Sequence, residues 1–175
     1  MSESRHSFIF GGARSGKSSY AESLAPPQGD LWYIATAQAL DKEMKERIAT
    51  HQRSRSGRWH LVEAPLNLIE TLQETAQPGR FILIDCITLW LANMLIAEKD
   101  CAAEVARLLP VVQQSPARLV IVSNEVGLSI VPDNPMSRKF RDEQGRANQK
   151  IAAICEEVIF IAAGLPLRLK PQAVQ

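Results

Sequence analysis

Ser7-Phe8-Ile9-Phe10, running into Gly11-Gly12-Ala13-Arg14-Ser15-Gly16-Lys17-Ser18, is the stretch whose reading decides the fold. Its first four residues read as a buried strand that feeds a glycine loop directly. Gly11-x4-Gly16-Lys17-Ser18 matches GxxxxGK[ST] in full, and a helix is predicted from about Lys17 to a stop before Pro26-Pro27. In such a loop the glycines let successive N–H groups wrap a phosphate, and the following helix adds the positive end of its dipole. Lys17 then reaches the β- and γ-phosphates of a nucleoside triphosphate, and the Ser18 hydroxyl ligates Mg²⁺. A chance glycine turn would share the spacing but not the strand–loop–helix context.

Working outward, Leu31 to Ala35 reads as a second strand, and Phe81-Ile82-Leu83-Ile84 as a third, covered on both faces and ending in Asp85. Leu119 to Ser123 is a fourth, and Val158–Ala162 and Leu165–Leu169 are two more with Gly164 at the turn. Between them fall amphipathic stretches. One opens on Asp41 as N-cap and carries Met44, Ile48 and His51 on one stripe. Others run over Leu66–Ala76, Thr88–Ala97 and Ala102–Gln113, and a long one has the stripe Met136, Phe140, Ala147, Ile151 and Ile154. Strands alternating with helices imply an α/β P-loop fold with a mainly parallel sheet and helices on both faces. Ligands in that architecture sit at the carboxyl ends of the strands, where Gly11 and Asp85 fall. Asp85 is therefore the candidate Walker-B carboxylate for the metal; a strand-end Asp capping the next helix is the plainer alternative.

The chain has 175 residues, enough for one domain, and is 46% hydrophobic and 22% charged, as folded globular proteins are. Residues 1–7 read as a flexible polar tail and 8–175 as a single catalytic domain. A formal net charge of +1 argues against nucleic acid or an anionic membrane as partner, so anion recognition must be local. Cys86, Cys101 and Cys155 make no metal-ligand spacing and suit inert thiols in a reducing cytoplasm. No secretory h-region opens the sequence, and no apolar run approaches the roughly 20 residues that span a bilayer.

Of the three histidines, His6 reads as part of the tail and His60, after Trp59, as a surface or strand residue. Arg47, Arg53, Arg55 and Arg58 crowd His51. Spacing alone leaves two readings open: a packed histidine beside a solvated basic face, or a neutral imidazole poised as nucleophile with guanidiniums collecting phosphate oxygens.

The motifs in order are GGARSGKS, YIATAQALDKEM with RIATH, LIDCITLWLANML, and SNEVGLSIVPDNPMSRKFRDEQGRANQ. Together they resemble the bifunctional adenosylcobinamide kinase / adenosylcobinamide-phosphate guanylyltransferase family of cobalamin biosynthesis, from about Phe8 to about Lys170. NEVG…IVP followed by RxFRDxxGxxNQ is the specific part. The resemblance implies a RecA-like P-loop fold, a homotrimer, and ATP, GTP and adenosylcobinamide with its phosphate as substrates. It puts a guanylylated histidine on His51. It puts nucleotide contacts on Ala35, Thr36 and Ala37, on Gln52, Arg53, Ser54 and Arg55, on Glu63 and on Asp85. Ser129 stands where the family usually has glycine, and Gln52-Arg53-Ser54 departs from the family's run after the histidine. Asn124-Glu125 reads as a cap or turn, or as a pair orienting the acceptor hydroxyl or a water. Salt bridging is the simpler account of Arg138, Arg141 and Asp142. The absence of a DxHxxG corrin-binding motif makes the corrinoid a passing substrate, and the absence of NKxD argues against a GTPase switch. A P-loop small-molecule kinase without a covalent step is the alternative.

Overall fold

A computed structural model describes residues 6–38 and 57–171. Seven strands among these residues form one sheet: β1 (Ser7–Gly11), β2 (Asp30–Ala35), β3 (His60–Glu63), β4 (Arg80–Asp85), β5 (Arg118–Asn124), β6 (Glu157–Ala162) and β7 (Leu165–Lys170). Their spatial order is β3-β2-β4-β5-β1-β6-β7, parallel throughout except for β7, which runs antiparallel to β6. The helices are α1 (Lys17–Ser23), α2 (Leu68–Thr75), α3 (Ile87–Ile96), α4 (Cys101–Gln113) and α5 (Pro135–Ile154). The expected helix from Asp41 through His51 lies outside the described residues, as do Gln52, Arg53, Ser54 and Arg55.

The two faces follow from the period of two along each strand. Phe8, Ile34, Ile82, Ile84, Leu119 and Ile121 point to one side, where α2 to α5 cover them with Leu72, Trp90, Leu108 and Ile151. Ile9, Leu31, Tyr33, Leu83, Val120 and Val122 point to the other, with Tyr20 and Ala21 of α1 and Leu24 just after it. The uninterrupted apolar run of β4 thus has a partner on each face, as its sequence requires. Two caps set helix starts at the surface. Asp100 Oδ1 accepts the Ala103 N–H at 3.0 Å, and Asn134 Oδ1 accepts the Ser137 N–H at 2.8 Å just before Pro135. No described helix is long and apolar enough to cross a membrane.

Strand β3 has no apolar run to announce it, and His60, read as a surface or strand residue, opens it. The tail boundary at residue 7 changes: His6 is packed, and Ser7 belongs to the strand that the sequence placed there. Ser7 is buried in β1, and His6 is buried with its Nδ1 accepting the Leu119 N–H at 3.3 Å and its carbonyl accepting the Glu156 and Glu157 N–H groups. His6 is packed because β1 lies between β5 and β6, so the head of the strand already has neighbours on both sides.

Burial lowers the His6 imidazole below its usual 6.5, with Glu156 opposing the shift. Below that value the unfolded chain binds a proton more readily than the folded one, so stability falls as pH drops from about 6.5 toward the folded value. We expect the urea midpoint to fall between pH 7.5 and 5.5, and to fall less in His6→Asn, which keeps an acceptor but cannot titrate. Equal pH slopes in the two proteins would show that His6 takes no part.

Candidate active site at the carboxyl edge of the sheet

The glycine loop leaves β1 under a tight steric constraint. A Cβ on Gly11 would come within 2.3 Å of the Ile161 carbonyl oxygen and 2.9 Å of Ser15 Oγ, so only glycine fits. Arg14 and Gly16 take left-handed backbone at φ 55° and 94°, which turns the chain back on itself before α1 begins. The turn between β6 and β7 braces the loop from the side. Ala163 and Gly164 are both left-handed, and the Gly164 N–H donates to the Ser15 carbonyl at 2.8 Å. Lys17 is buried and its Nζ donates to the Gly12 carbonyl at 3.1 Å, so the lysine spans the loop from within. Ser15 Oγ is buried without a hydrogen-bond partner among the described residues. Gly16, as N-cap, offers α1 no side-chain acceptor. The loop is a cradle of donors.

Asp85 ends β4, two positions across the sheet from β1 with β5 between. Tyr33, a core residue of β2, donates its hydroxyl to Asp85 Oδ2 at 2.5 Å and so orients the carboxylate. Nothing in the sequence marked Tyr33, since an aromatic in an apolar strand reads as packing. Lys17 and Asp85 both act on the buried thiol of Cys86. Burial is the largest influence and pushes that thiol up to about 12; the Asp85 charge adds to this and the Lys17 charge opposes it. Asp85 and the glycine loop both lie at the carboxyl edge of the sheet, at the ends of β4 and β1.

The loops after β2, β3 and β4 are locked together. Thr36 Oγ1 donates to the Cys86 carbonyl at 2.7 Å and accepts the Cys86 N–H at 2.8 Å, while the Thr36 N–H donates to the Asp85 carbonyl at 3.0 Å. Asn93 of α3 donates to the carbonyls of Thr36 and Pro65 at 2.8 and 2.9 Å. Ala35, Thr36 and Ala37 thus reach the expected edge, but the Thr36 hydroxyl is spent inside the protein. Glu63 ends β3 opposite Ala35, exposed and on the far side of β2 from the glycine loop.

The long NEVG…NQ motif has a structural explanation. Gln144 and Asn148, one turn apart on α5 and both buried, reach the end of β5. Gln144 Nε2 donates to Ser123 Oγ at 2.7 Å and to Asn148 Oδ1 at 2.8 Å; Ser123 Oγ donates to Asn148 Oδ1 at 2.8 Å. Asn148 Nδ2 donates to the Asn124 carbonyl at 3.1 Å, and the Asn124 N–H donates to Thr88 Oγ1 at 2.7 Å. Arg138 does not form a salt bridge among the described residues: its guanidinium donates to the Pro132 and Asp133 carbonyls at 2.9 and 2.7 Å, closing the loop before α5. Arg141 does pair with Asp142, at 3.0 Å. Ser129 Oγ donates to the Val126 carbonyl at 3.1 Å, a contact that glycine could not make.

A strand-end loop of backbone donors, a lysine crossing it and an oriented carboxylate nearby make a P-loop nucleotide-binding site in a RecA-like fold. The fold agrees with that of the RadB recombinase, 14% identical with a TM-score of 0.50 over 90% of this chain and 74% of that one. The chain belongs to the cobinamide kinase / cobinamide phosphate guanyltransferase family, a family of transferases whose sequence model matches residues 7–169. The bifunctional adenosylcobalamin biosynthesis protein CobP of Pseudomonas aeruginosa is 48% identical over 165 residues, covering 93% of this chain and 95% of that protein. The bifunctional adenosylcobalamin biosynthesis protein CobU of Escherichia coli is 37% identical, covering 93% and 98%.

Two outcomes follow. Asn148→Leu leaves the Asn124 carbonyl without its side-chain donor and should cost about 1–3 kcal/mol, measured by urea denaturation; an unchanged midpoint would show that the network carries no stability. The cysteines should be inert. All three are buried; burial pushes Cys86 and Cys155 up to about 12 and raises Cys101. A disulfide reagent at pH 8 should leave the folded protein unmodified and label all three once it is denatured. Rapid labelling of the native protein would contradict the packing around α3, α4 and β6.

Proposed function

We propose that this chain catalyses both reactions of its family in assembling the nucleotide loop of adenosylcobalamin. It phosphorylates adenosylcobinamide with ATP or GTP, then transfers GMP from GTP to adenosylcobinamide phosphate. The observation that carries this reading is the complete glycine loop, braced at Ser15 and crossed by Lys17, within a chain similar over nearly its whole length to bifunctional relatives.

In the first reaction the hydroxyl oxygen of the aminopropanol arm attacks the γ-phosphorus. An O–P bond forms, the β–γ bridging bond breaks, and the nucleoside diphosphate leaves. Lys17 turns from the Gly12 carbonyl to the β- and γ-oxygens, and the loop amides hold the spreading charge in place. Ser18 and Asp85 offer a hydroxyl and a carboxylate, hard oxygen donors of the kind Mg²⁺ accepts when phosphates and water fill its other positions. No group of three acidic, His or Cys side chains among the described residues would hold a metal without the nucleotide, which suits an ion that arrives with it. When bound, Mg²⁺ neutralises charge on the phosphate oxygens.

In the second reaction a ring nitrogen of neutral His51 attacks the α-phosphorus of GTP. A P–N bond forms, the α–β bridging bond breaks, and pyrophosphate leaves. A phosphate oxygen of adenosylcobinamide phosphate then displaces the imidazole, giving adenosylcobinamide-GDP. Imidazole suits the task because an unperturbed pKa of about 6.5 leaves most of it neutral at pH 7. The covalent intermediate divides one displacement into two easier ones. Ala35, Thr36, Ala37, Gln52, Arg53, Ser54, Arg55, Glu63 and Asp85 are assigned to nucleotide contact on the family resemblance. The same resemblance implies a homotrimer, and three free, buried thiols suit the reducing cytoplasm expected from the sequence.

The test is incubation with α-labelled GTP and magnesium. We expect protein-bound label that is acid-labile and base-stable, absent in His51→Ala. Label that persists in that variant would move the nucleophile elsewhere, and no label in the wild type would leave a kinase without a covalent step.

A further inference from the structure

Phosphoryl transfer to an alcohol releases a proton, and none of the residues assigned above takes it. The acceptor must stand in line with the γ-phosphoryl group, on the side of the glycine loop away from the leaving diphosphate. A base that serves it has to lie at the carboxyl edge, close to β1.

Three carboxylates stand at the strand ends: Glu63 on β3, Asp85 on β4 and Glu125 directly after β5. Glu63 is four strand positions from β1, about 19 Å at the usual strand spacing. Asp85 is held by the Tyr33 hydroxyl and suits the metal. Glu125 is one strand position from β1, and its own N–H donates to the Gly11 carbonyl at 2.9 Å, so its backbone is joined to the first residue of the phosphate loop.

We propose that Glu125 is the general base of the phosphoryl-transfer reaction, taking the proton of the acceptor hydroxyl as its oxygen bonds to the γ-phosphorus. The proton passes to a carboxylate oxygen of Glu125 and from there to water, while the electron pair of the breaking β–γ bond leaves with the diphosphate. This rests on the kinase half of the function proposed above.

The geometry suits a base held in readiness. Glu125 Oε1 accepts the Gly127 N–H at 2.5 Å, which fixes the carboxylate plane, and Oε2 makes no hydrogen bond among the described residues. Residue 124 before it is tied on both sides, through its N–H to Thr88 and its carbonyl to Asn148. The polar network of α5 therefore ends on the residue adjoining the base. Glutamine at 125 would keep an oxygen for the Gly127 N–H but lose the basicity, so Glu125→Gln separates chemistry from loop structure.

The experiment measures γ-phosphoryl transfer to adenosylcobinamide in wild type, Glu125→Gln and Glu125→Ala. We expect Glu125→Gln to lower kcat by roughly 10²–10⁴-fold, with KM for the nucleotide changed by less than about threefold. Added formate should restore part of the activity of Glu125→Ala, which a purely structural role would not allow. Near wild-type kcat in Glu125→Gln, or a loss in Glu125→Ala that formate leaves untouched, would overturn the assignment while the kinase reading stands. A wild-type enzyme that transfers no γ-phosphoryl group would overturn both.

Discussion

The contact on which this structure turns is the approach of Gly11 to the backbone of β6. At 2.3 Å between a hypothetical Cβ and the Ile161 carbonyl oxygen there is no room for any side chain. That lets β1 remain paired with β5 and β6 up to the residue where the loop begins. The phosphate loop consequently starts inside the sheet rather than beyond it. Its carbonyl at Gly11 is already engaged by Glu125, and its Ser15 carbonyl by Gly164. Two of the loop's carbonyls are thus held by neighbouring segments, and a third, that of Gly12, by Lys17 from within.

The same economy appears across the rest of the edge. Thr36, Cys86 and Asn93 bind the ends of β2 and β4 to one another, and Thr88, Ser123, Gln144 and Asn148 do so for β5 and α5. These side chains are buried and mostly satisfied, apart from Gln144 Oε1. Buried polar groups of this kind are costly unless paired, and when paired they fix one arrangement of the backbone. Strand ends tied in this way hold the glycine loop and the segments beside it in fixed positions.

Most of the fold could be read from periodicity, because β1, β4 and β5 are apolar runs with turn signals at both ends and their helices carry clear stripes. Strand β3 could not. His60, Leu61, Val62 and Glu63 are mostly exposed on a sheet edge, and their alternation is too short to stand out. His6 misled for a related reason: a polar residue at the head of a strand looks like tail unless the partner that satisfies it, the Leu119 N–H far along the chain, is known. The glycine loop and Lys17 stand out because the motif has a fixed spacing between strand and helix, and Asp85 because it closes an apolar strand. Tyr33 does not, since its hydroxyl matters only once β2 and β4 are neighbours.

The specificity of the NEVG…RxFRDxxGxxNQ run also changes meaning. In the sequence Asn124-Glu125 reads as a cap or turn or as a pair orienting the acceptor hydroxyl, and the charged residues of the helix as salt-bridging groups; in the structure several side chains of the run hold backbone carbonyls. Arg138 holds two carbonyls, Arg141 pairs with Asp142, and Gln144 and Asn148 support Ser123 and Asn124. Glycine loops recur wherever triphosphates are bound, because phosphate imposes the same demand each time. A particular way of bracing the neighbouring strand is imposed by nothing but the fold that adopted it. That explains how a motif built largely of structural contacts marks the family more sharply than the one that grips the substrate. It also leaves Glu125 as the carboxylate to which that whole scaffold leads.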